Sequence, residues 1–436
     1  MNILLLGSCG RIHAFSWKIH KSELCSELFI APGNAGTLQY GTNVAISVND
    51  FNAIRSFCLA QNIKMVIVGP EEPLVNGITD YFLSDPELKD INVIGPVKKG
   101  AQLEGSKAFA KAFMTRNHVP TAPYREFNMN NYEEGLDYIR THTLPIVLKA
   151  DGLAAGKGVL IFQDPVEAMD EFERMIQNSK FGEAGKKVVV EEFLEGIEVS
   201  VFILTDGKHY VIFPEAKDYK KIGNGDTGLN TGGMGAISPI PFVHGSFMEK
   251  VKERIIEPTL AGLIKEDIDY RGFIFFGLIK VGNEPLVIEY NCRMGDPETE
   301  VVLLRVENDI VQLFNAIPQQ RLNEVKMVVD PRCAASIVAV SGGYPGKFGN
   351  GKLIDLSYLE NPEAIKTINA EGGVMVFHMG TKMANNEIIT NGGRVLAVST
   401  LADTIGEAIS LAKDTLNQIY YEDMYYRTDI GFEFYN

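Results

Sequence analysis

Two lysines, Lys149 and Lys157, stand in one stretch with three glycines, Gly152, Gly156 and Gly158. A loop of this composition offers backbone N–H groups and positive charge to a polyphosphate. It is not a Walker A loop, because GxxxxGK[ST] would need glycine where Asp151 stands and a hydroxyl where Gly158 stands. The apolar run at 159–162 has strand character, so the loop is expected to join two strands rather than to open a helix. A plain surface hairpin is the alternative for this segment on its own.

The second chemical segment is Val287-Ile288-Glu289-Tyr290-Asn291-Cys292-Arg293-Met294-Gly295-Asp296-Pro297-Glu298. Alternate residues of a strand share a face, so Glu289 and Asn291 would present two hard oxygen ligands together, with the Arg293 guanidinium two residues further on. That set suits Mg-ATP, with Arg293 neutralising charge during phosphoryl transfer or holding an acyl phosphate. The competing description is a strand edge running into a polar turn.

Two further stretches are less specific. Glu191, Glu192, Leu194 and Glu195 end a strand containing three consecutive valines, where an extended backbone could read adenine and a carboxylate the ribose; an ordinary acidic strand end has the same appearance. The segment from Ala216 to Lys221, which contains Asp218, and the glycine-rich loop from Asp226 to Ala236 form a polar stretch too long for a simple turn. The ordered reading, a mobile lid over the substrate, is favoured over a disordered excursion because small residues are so dense there.

These segments need a scaffold. Over the first hundred residues, apolar runs at 3–6, 28–30, 65–68 and 93–94 alternate with amphipathic stretches, the pattern of βα units in a Rossmann-like lobe. Turns at 7–11, 31–36, 69–71 and 95–96 follow those runs and would line one crevice at the carboxyl ends of the strands. From about residue 104 helices at 106–117 and 132–140 and several long antiparallel strands predict an α+β region. Strands near 334–340, 374–379 and 395–400 and a helix at 405–419 predict a small C-terminal α/β lobe. The expected domains are 1–103, 104–324 with a mobile subdomain at about 121–190, and 325–436.

Composition narrows the function. With 41 Lys+Arg against 56 Asp+Glu, a formal charge of -15, a general nucleic-acid-binding surface is not expected, although a local basic phosphate pocket is. The five cysteines, Cys9, Cys25, Cys58, Cys292 and Cys333, have no zinc-like spacing and suit reduced thiols in a cytoplasmic protein. Leu6-Gly7-Ser8-Cys9 has the look of a lipid-attachment box, but the apolar run before it is too short and lacks a basic leader. No apolar run is long enough to span a membrane.

The order of motifs then resembles a known family. Gly10-Arg11, Ala31-Pro-Gly-Asn-Ala-Gly36, Gly69-Pro-Glu71, Gln102-Leu-Glu-Gly-Ser-Lys107, Lys149 to Gly158, Thr231-Gly-Gly-Met-Gly-Ala236, Arg293-Met-Gly-Asp-Pro-Glu298 and Asn391-Gly-Gly-Arg394 occur in the order found in phosphoribosylamine-glycine ligases. The resemblance covers nearly the whole chain, and the RxGDPE run is its most specific part.

What the resemblance implies is an ATP-grasp domain of two α+β subdomains between the two other lobes. The implied reaction joins glycine to 5-phosphoribosylamine with conversion of ATP to ADP and phosphate, in purine biosynthesis, by a monomer or weak dimer. On this basis Lys107 and Lys149 would contact phosphates, with Gly156, Lys157 and Gly158 completing the clamp. Glu191 and Leu194 would read adenine through their backbones beside Glu192, and Glu198 would lie near the ribose. Glu289 and Asn291 would hold Mg2+ or Mn2+, and Arg293, Lys149 and Asp218 would act in catalysis. Gly10, Arg11, Gly33, Asn34 and Glu71 would form the ribosylamine crevice, with Asp296 and Glu298 as further substrate contacts and Arg394 as a secondary phosphate ligand.

Four positions depart from the family pattern. Ile12 stands where Glu is usual in Gly-Arg-Glu-His-Ala, Lys217 and Tyr219 replace Gln and His in Gln-Asp-His-Lys, and Leu229 replaces Pro in Pro-Asn-Thr-Gly. Competing readings are another purine-pathway ATP-grasp ligase or carboxylase, which should lack RxGDPE, a dinucleotide-dependent oxidoreductase, which should carry GxGxxG, and a non-catalytic nucleotide-binding regulator.

Overall fold

The computed structural model describes residues 1–153, 158–178, 180, 182–360 and 373–434. Its first hundred residues form a parallel sheet in the spatial order Thr42–Asn43, Glu27–Pro32, Asn2–Gly7, Ile63–Val68, Asn92–Ile94. The strands are near-continuous apolar runs because helices cover both faces; Ile3 to Leu6 have no exposed surface. Strand order reverses beside Asn2–Gly7, so the turns after that strand and after Ile63–Val68 open a crevice between them. The helices Gly10–His20 and Glu71–Asn76 begin at its two sides.

A four-stranded sheet of Tyr124–Asn128, Lys187–Glu192, Ile146–Ala150 and Val159–Phe162 follows, all antiparallel. The amphipathic helices Tyr132–Thr141 and Pro165–Ile176 cover it and share a separate core that includes Phe127, Ile139, Leu148, Phe172 and Val188. The second central sheet runs Tyr210–Ile212, Ile197–Thr205, Gly272–Val281, Glu284–Asn291. Its pairing shifts register between Gly277 and Leu278, opposite residues 287–289. The strands on either side of the glycine-rich loop, Ile146–Ala150 and Val159–Phe162, pair antiparallel, as the apolar run after it requires.

The C-terminal sheet is ordered Lys217–Asp218, Gly235–Ser238, Cys333–Val340, Arg394–Ala402, Val374–His378, with the helix Ile405–Leu416 packed on it. That helix opens with a reciprocal capping box between Thr404 and Glu407. Two of these strands come from the middle of the chain, so the sheet reaches back well before residue 325. The glycine-rich stretch expected as a lid is a hairpin, Lys221–Gly223 with Thr227–Asn230, followed by the fully buried strand Gly235–Ser238. Small side chains there serve sheet packing: a Cβ on Gly235 would lie 2.6 Å from the Ser336 carbonyl oxygen.

Candidate active site

Lys107 opens the helix Lys107–Arg116, capped by the Ser106 hydroxyl accepting the Phe109 N–H at 3.0 Å. Asp151, from the clamp loop, accepts from both the Ser106 hydroxyl (2.8 Å) and the Ala108 N–H (3.1 Å), so loop and helix start are tied together. One cleft is lined by Lys107, Lys111, Lys149, Glu191, Ile288 and Glu289, among others. Gly156 and Lys157 lie outside the described residues; Gly158 is buried, and its carbonyl accepts the Ala150 N–H at 2.8 Å.

Within the cleft the Lys149 ammonium lies 2.9 Å from Glu191 Oε2 and 3.3 Å from the Ile288 carbonyl. Lys111 reaches the same Glu191 oxygen at 2.9 Å and also donates to the Thr121 hydroxyl at 2.8 Å. Sequence reasoning missed Lys111, although four residues separate it from Lys107 and a helix places such residues on one face. Burial pulls its ammonium down to about 8, against the raising effect of Glu191. Glu191 was expected to act through its backbone. Its backbone is paired with Tyr124 on one side and Val147 on the other, and its carboxylate is held by two lysines. The strand ends at Glu192, an exposed residue, and Leu194 follows outside the sheet.

With Lys149 as the phosphate ligand that the family resemblance implies, loss of Lys111 would leave Glu191 to bind Lys149 alone and to compete harder with phosphate for it. Lys111→Met is therefore expected to raise KM for ATP about tenfold and to change kcat less than about threefold. Initial rates over a range of ATP concentrations check this, and an equal fall in kcat would put Lys111 in the chemistry itself.

Four cations act on Glu289. Burial opposes its ionisation, but Lys220, Lys107, Lys149 and Arg293 outweigh burial and hold its carboxyl below the usual range. Asn291, two residues on in the same strand, is 7% exposed. Lys220 pairs with Glu198 at 2.5 Å and lies 4.0 Å from Asp218. The positive Lys220 is the main cause of Glu198's lowered pKa, while burial is the main cause of Asp218's raised one. Burial disfavours the charge on Lys220, yet Asp218, Glu198 and Glu289 together raise its pKa well above the ordinary value.

Arg293 lies between two carboxylates, 2.8 Å from Glu104 and 3.4 Å from Glu71. Glu104, also missed from sequence, accepts the Cys292 N–H at 2.8 Å and so locks the turn that carries Arg293. The Arg11 backbone N–H donates to Asp296 Oδ2 at 3.1 Å, and its guanidinium to the Met294 carbonyl at 2.5 Å. Asp296 pairs with Arg394 at 3.0 Å, and Arg394 also donates to the carbonyls of Gly232 (2.7 Å) and Asp296 (2.6 Å). The RxGDPE run thus connects the N-terminal crevice, the glycine-rich segment and the C-terminal sheet.

A Cβ on Gly295 would meet the Glu298 carboxyl at 2.4 Å, so any side chain there would displace that carboxyl. Burial, then Asp218, pushes the Glu298 carboxyl up to about 7, while Ser200 donates to it at 3.0 Å. A carboxyl whose folded pKa exceeds its unfolded value binds protons more tightly when folded, so its contribution to stability is lost as pH rises from the unfolded value toward about 7. Glu298→Gln is expected to flatten the decline in thermal stability across that window, and an unchanged slope of Tm with pH would show that Glu298 is ionised throughout.

The crevice residues divide. Glu71 and Arg11 face Arg293 and the RxGDPE turn. Gly10 begins its helix, where a Cβ would stand 2.2 Å from Glu300 Oε1. Gly33 has φ +73 and packs on the Asn43 amide. The Asn34 side chain, expected to meet substrate, is committed to backbone: it donates to the carbonyls of Ser8 and His378 at 2.8 Å and accepts from Gly36 (2.9 Å) and Thr37 (3.1 Å). Its observed function is to join the N-terminal and C-terminal lobes. Ile12, where a carboxylate is usual, is fully buried under the turns at Gly7 and Gly69. Leu229 is 66% exposed in its hairpin. A cavity of about 220 Å³ lies between Ser8, Cys9, Tyr344, Met379, Gly380 and Arg394.

A cation-lined cleft between two α+β sheets, joined to a Rossmann-like lobe, defines an ATP-dependent ligase of the ATP-grasp type. Family models described as the N domain, the ATP-grasp (A) domain and the C domain of phosphoribosylglycinamide synthetase match residues 1–104, 105–299 and 334–433. The chain belongs to the phosphoribosylamine–glycine ligase family. It is 43% identical over 436 residues to the phosphoribosylamine–glycine ligase of Escherichia coli O157:H7, covering 99% of this chain and 98% of that protein. It is 42% identical to that of Vibrio cholerae over 435 residues, with the same coverage. The crystal structure of the Thermotoga maritima phosphoribosylamine–glycine ligase superposes with TM-score 0.82 at 33% identity, covering 98% of this chain and all of that one. A biotin carboxylase from Campylobacter jejuni, 14% identical with TM-score 0.71 over 97% of this chain and 92% of that one, shares the fold.

Proposed function

We propose that this enzyme joins glycine to 5-phosphoribosylamine, giving glycinamide ribonucleotide, ADP and phosphate, in purine biosynthesis. The observation that carries the site assignment is the cleft lined by Lys107, Lys149 and Glu289, with Lys220 and Arg293 near enough to act on the same carboxylate. Such an arrangement suits a triphosphate and a divalent cation at one place. A glycine carboxylate oxygen attacks the γ-phosphorus and ADP leaves, forming glycyl phosphate. The ribosylamine nitrogen then attacks the glycyl carbonyl, phosphate leaves, and the nitrogen loses a proton. No enzyme nucleophile is needed, so the side chains act by positioning and charge stabilisation.

Lys107 and Lys149 hold phosphates in this reading, with Gly158 closing the clamp, and Lys149 exchanges Glu191 for phosphate while Lys111 keeps Glu191 in place. Adenine is read where the strand ends at Glu192 and Leu194, and the ribose lies by Glu198. Glu289 and Asn291 fit Mg2+, or Mn2+ in its place, because such ions take one or two protein oxygens and complete their shell from phosphates and water. Among the described residues no group of three or more His, Cys, Asp or Glu could hold a metal unaided. When bound, Mg2+ would neutralise phosphate charge during transfer.

The ribosylamine lies in the crevice of Gly10, Arg11, Gly33 and Glu71. Its phosphate lies in the same crevice, with the Arg394 guanidinium, at the edge of the adjoining cavity of Ser8 and Cys9, as a secondary ligand. Asp218, Asp296 and Glu298 organise the cations between the two substrates. For this purpose the fold divides near residue 103, the last lobe joins residues after 325 to the strands Lys217–Asp218 and Gly235–Ser238, and 121–190 is the subdomain that closes over ATP. No helix among the described residues is long and apolar enough to cross a membrane. Free cysteines suit a cytoplasmic enzyme, which we take to act as a monomer or weak dimer.

Phosphate release from ATP with magnesium, glycine and freshly generated 5-phosphoribosylamine, each omitted in turn, tests the reading. Release that needs both co-substrates and yields the glycinamide product supports it. Turnover that is equal without glycine, or supported only by another carboxylate, overturns the substrate assignment.

A further inference from the structure

Lys217 and Tyr219, two of the departures from the family pattern, flank Asp218 in the chain. Successive residues of an extended segment face opposite ways. Asp218 and Lys220 face the cleft, where Lys220 meets Glu198. Lys217 and Tyr219 face the C-terminal segment, where a single carboxylate serves both: Glu433 lies 2.9 Å from the Lys217 ammonium and accepts the Tyr219 hydroxyl at 2.8 Å. The Lys217 ammonium also lies 4.2 Å from the Tyr219 ring centroid. Lys217 is 7% exposed and Tyr219 1%.

The same segment grips the adjoining hairpin. Arg427, with no exposed surface, bonds Asp226 at 2.7 Å, Asp429 at 2.8 Å and the Lys221 carbonyl at 3.1 Å. Asp429 in turn accepts the Gly225 N–H at 2.6 Å. The hairpin and the strand before it are therefore fixed from behind by the last residues of the chain.

We propose that Glu433 is a positioning residue for the ligase reaction: through Lys217 and Tyr219 it sets the strand whose opposite face carries Asp218 and Lys220. Lys217, Tyr219 and Glu433 form one unit, so the two departures are accounted for by the carboxylate that receives them. Losing Glu433 removes the ion-pair partner 2.9 Å from the buried Lys217 ammonium, leaving it only the weaker pull of Asp218 and Glu198, and leaves the buried Tyr219 hydroxyl without its acceptor. The strand relaxes to resolve both, and Asp218 and Lys220 move with it. Site geometry tolerates little of this, since a shift of about 1 Å can cost about a hundredfold in rate.

The inference rests on the proposed role of Asp218 and Lys220, and the test separates the two. The variants are E433A, K217Q/Y219H, the triple variant combining them, and D218N, all as full-length enzyme. kcat and KM for ATP and glycine are measured at a temperature where thermal denaturation shows each variant folded. E433A is expected to lower kcat about tenfold in the natural background and less than about twofold in K217Q/Y219H, where its partners are gone. Should E433A not fold, E433Q, which keeps an acceptor for Tyr219, carries the same comparison. An equal loss in both backgrounds, or no loss in either, overturns the proposal. If D218N also keeps full turnover, the reading of the site has failed; if D218N is inactive while E433A matches the natural enzyme, only the positioning role has.

Discussion

Glu289→Ala is expected to lower kcat by about a thousandfold while leaving the Kd for ATP within about threefold of the natural enzyme. The asymmetry follows from the charges around that carboxylate. Lys220, Lys107, Lys149 and Arg293 all act on Glu289. Removing it makes the cleft more positive, which does not weaken the hold on a polyanion. What is lost is the hard oxygen that would fix a divalent cation relative to the γ-phosphate, and with it the alignment of transfer. Steady-state rates and calorimetric titration with ATP check the two halves separately. Turnover within about tenfold of normal would remove Glu289 from the metal site. Lost ATP affinity with unchanged kcat would instead make it a ground-state binding residue.

Arg293→Met should have the next largest effect, on two quantities at once. Arg293 is the partner of Glu104, 2.8 Å away, whose side chain is 7% exposed, and it also lies near Glu71 at the crevice. Leaving a buried carboxylate unpaired costs about 3–5 kcal/mol, so a large drop in Tm is expected together with loss of turnover. Arg293→Lys is not expected to rescue either, because one ammonium cannot span two carboxylates that a planar guanidinium bridges. Adding Glu104→Gln to Arg293→Met removes the stranded charge and is expected to restore most of the stability but none of the activity. Recovery of activity in that double variant would reduce Arg293 to a purely structural element.

Much of this molecule was legible from residue types and spacing. The parallel N-terminal sheet follows from apolar runs separated by helical stretches, a local pattern set by burial on both faces. The clamp hairpin follows from a glycine-rich loop between two strand-forming runs. Glu289 and Asn291 could be grouped because a strand's two-residue period places them together without knowledge of anything distant, whereas Arg293 lies in the turn beyond the strand and is placed by Glu104.

What sequence missed was pairing between distant segments. Lys111 and Glu104 looked like ordinary helix residues, and only packing against the strand Lys187–Glu192 and the turn after Glu284–Asn291 gives them their partners, Glu191 and Arg293. Asn34 looked like a substrate ligand because its loop ends a strand at the crevice, yet its amide is held by carbonyls from both lobes. The glycine-rich stretch read as a lid because its composition is that of a mobile loop; its last strand is instead ordered by Cys333–Val340, about a hundred residues further on. Lys217 and Tyr219 read only as departures until the fold brought Glu433 to them. The amino-acid sequence by itself determined the local elements, because each depends on neighbours within a few residues, and the family, because its short motifs stand in a fixed order along the chain. Tertiary structure alone decided which buried charge faces which, because a counter-ion can arrive from anywhere in the chain and desolvation makes that choice energetically decisive.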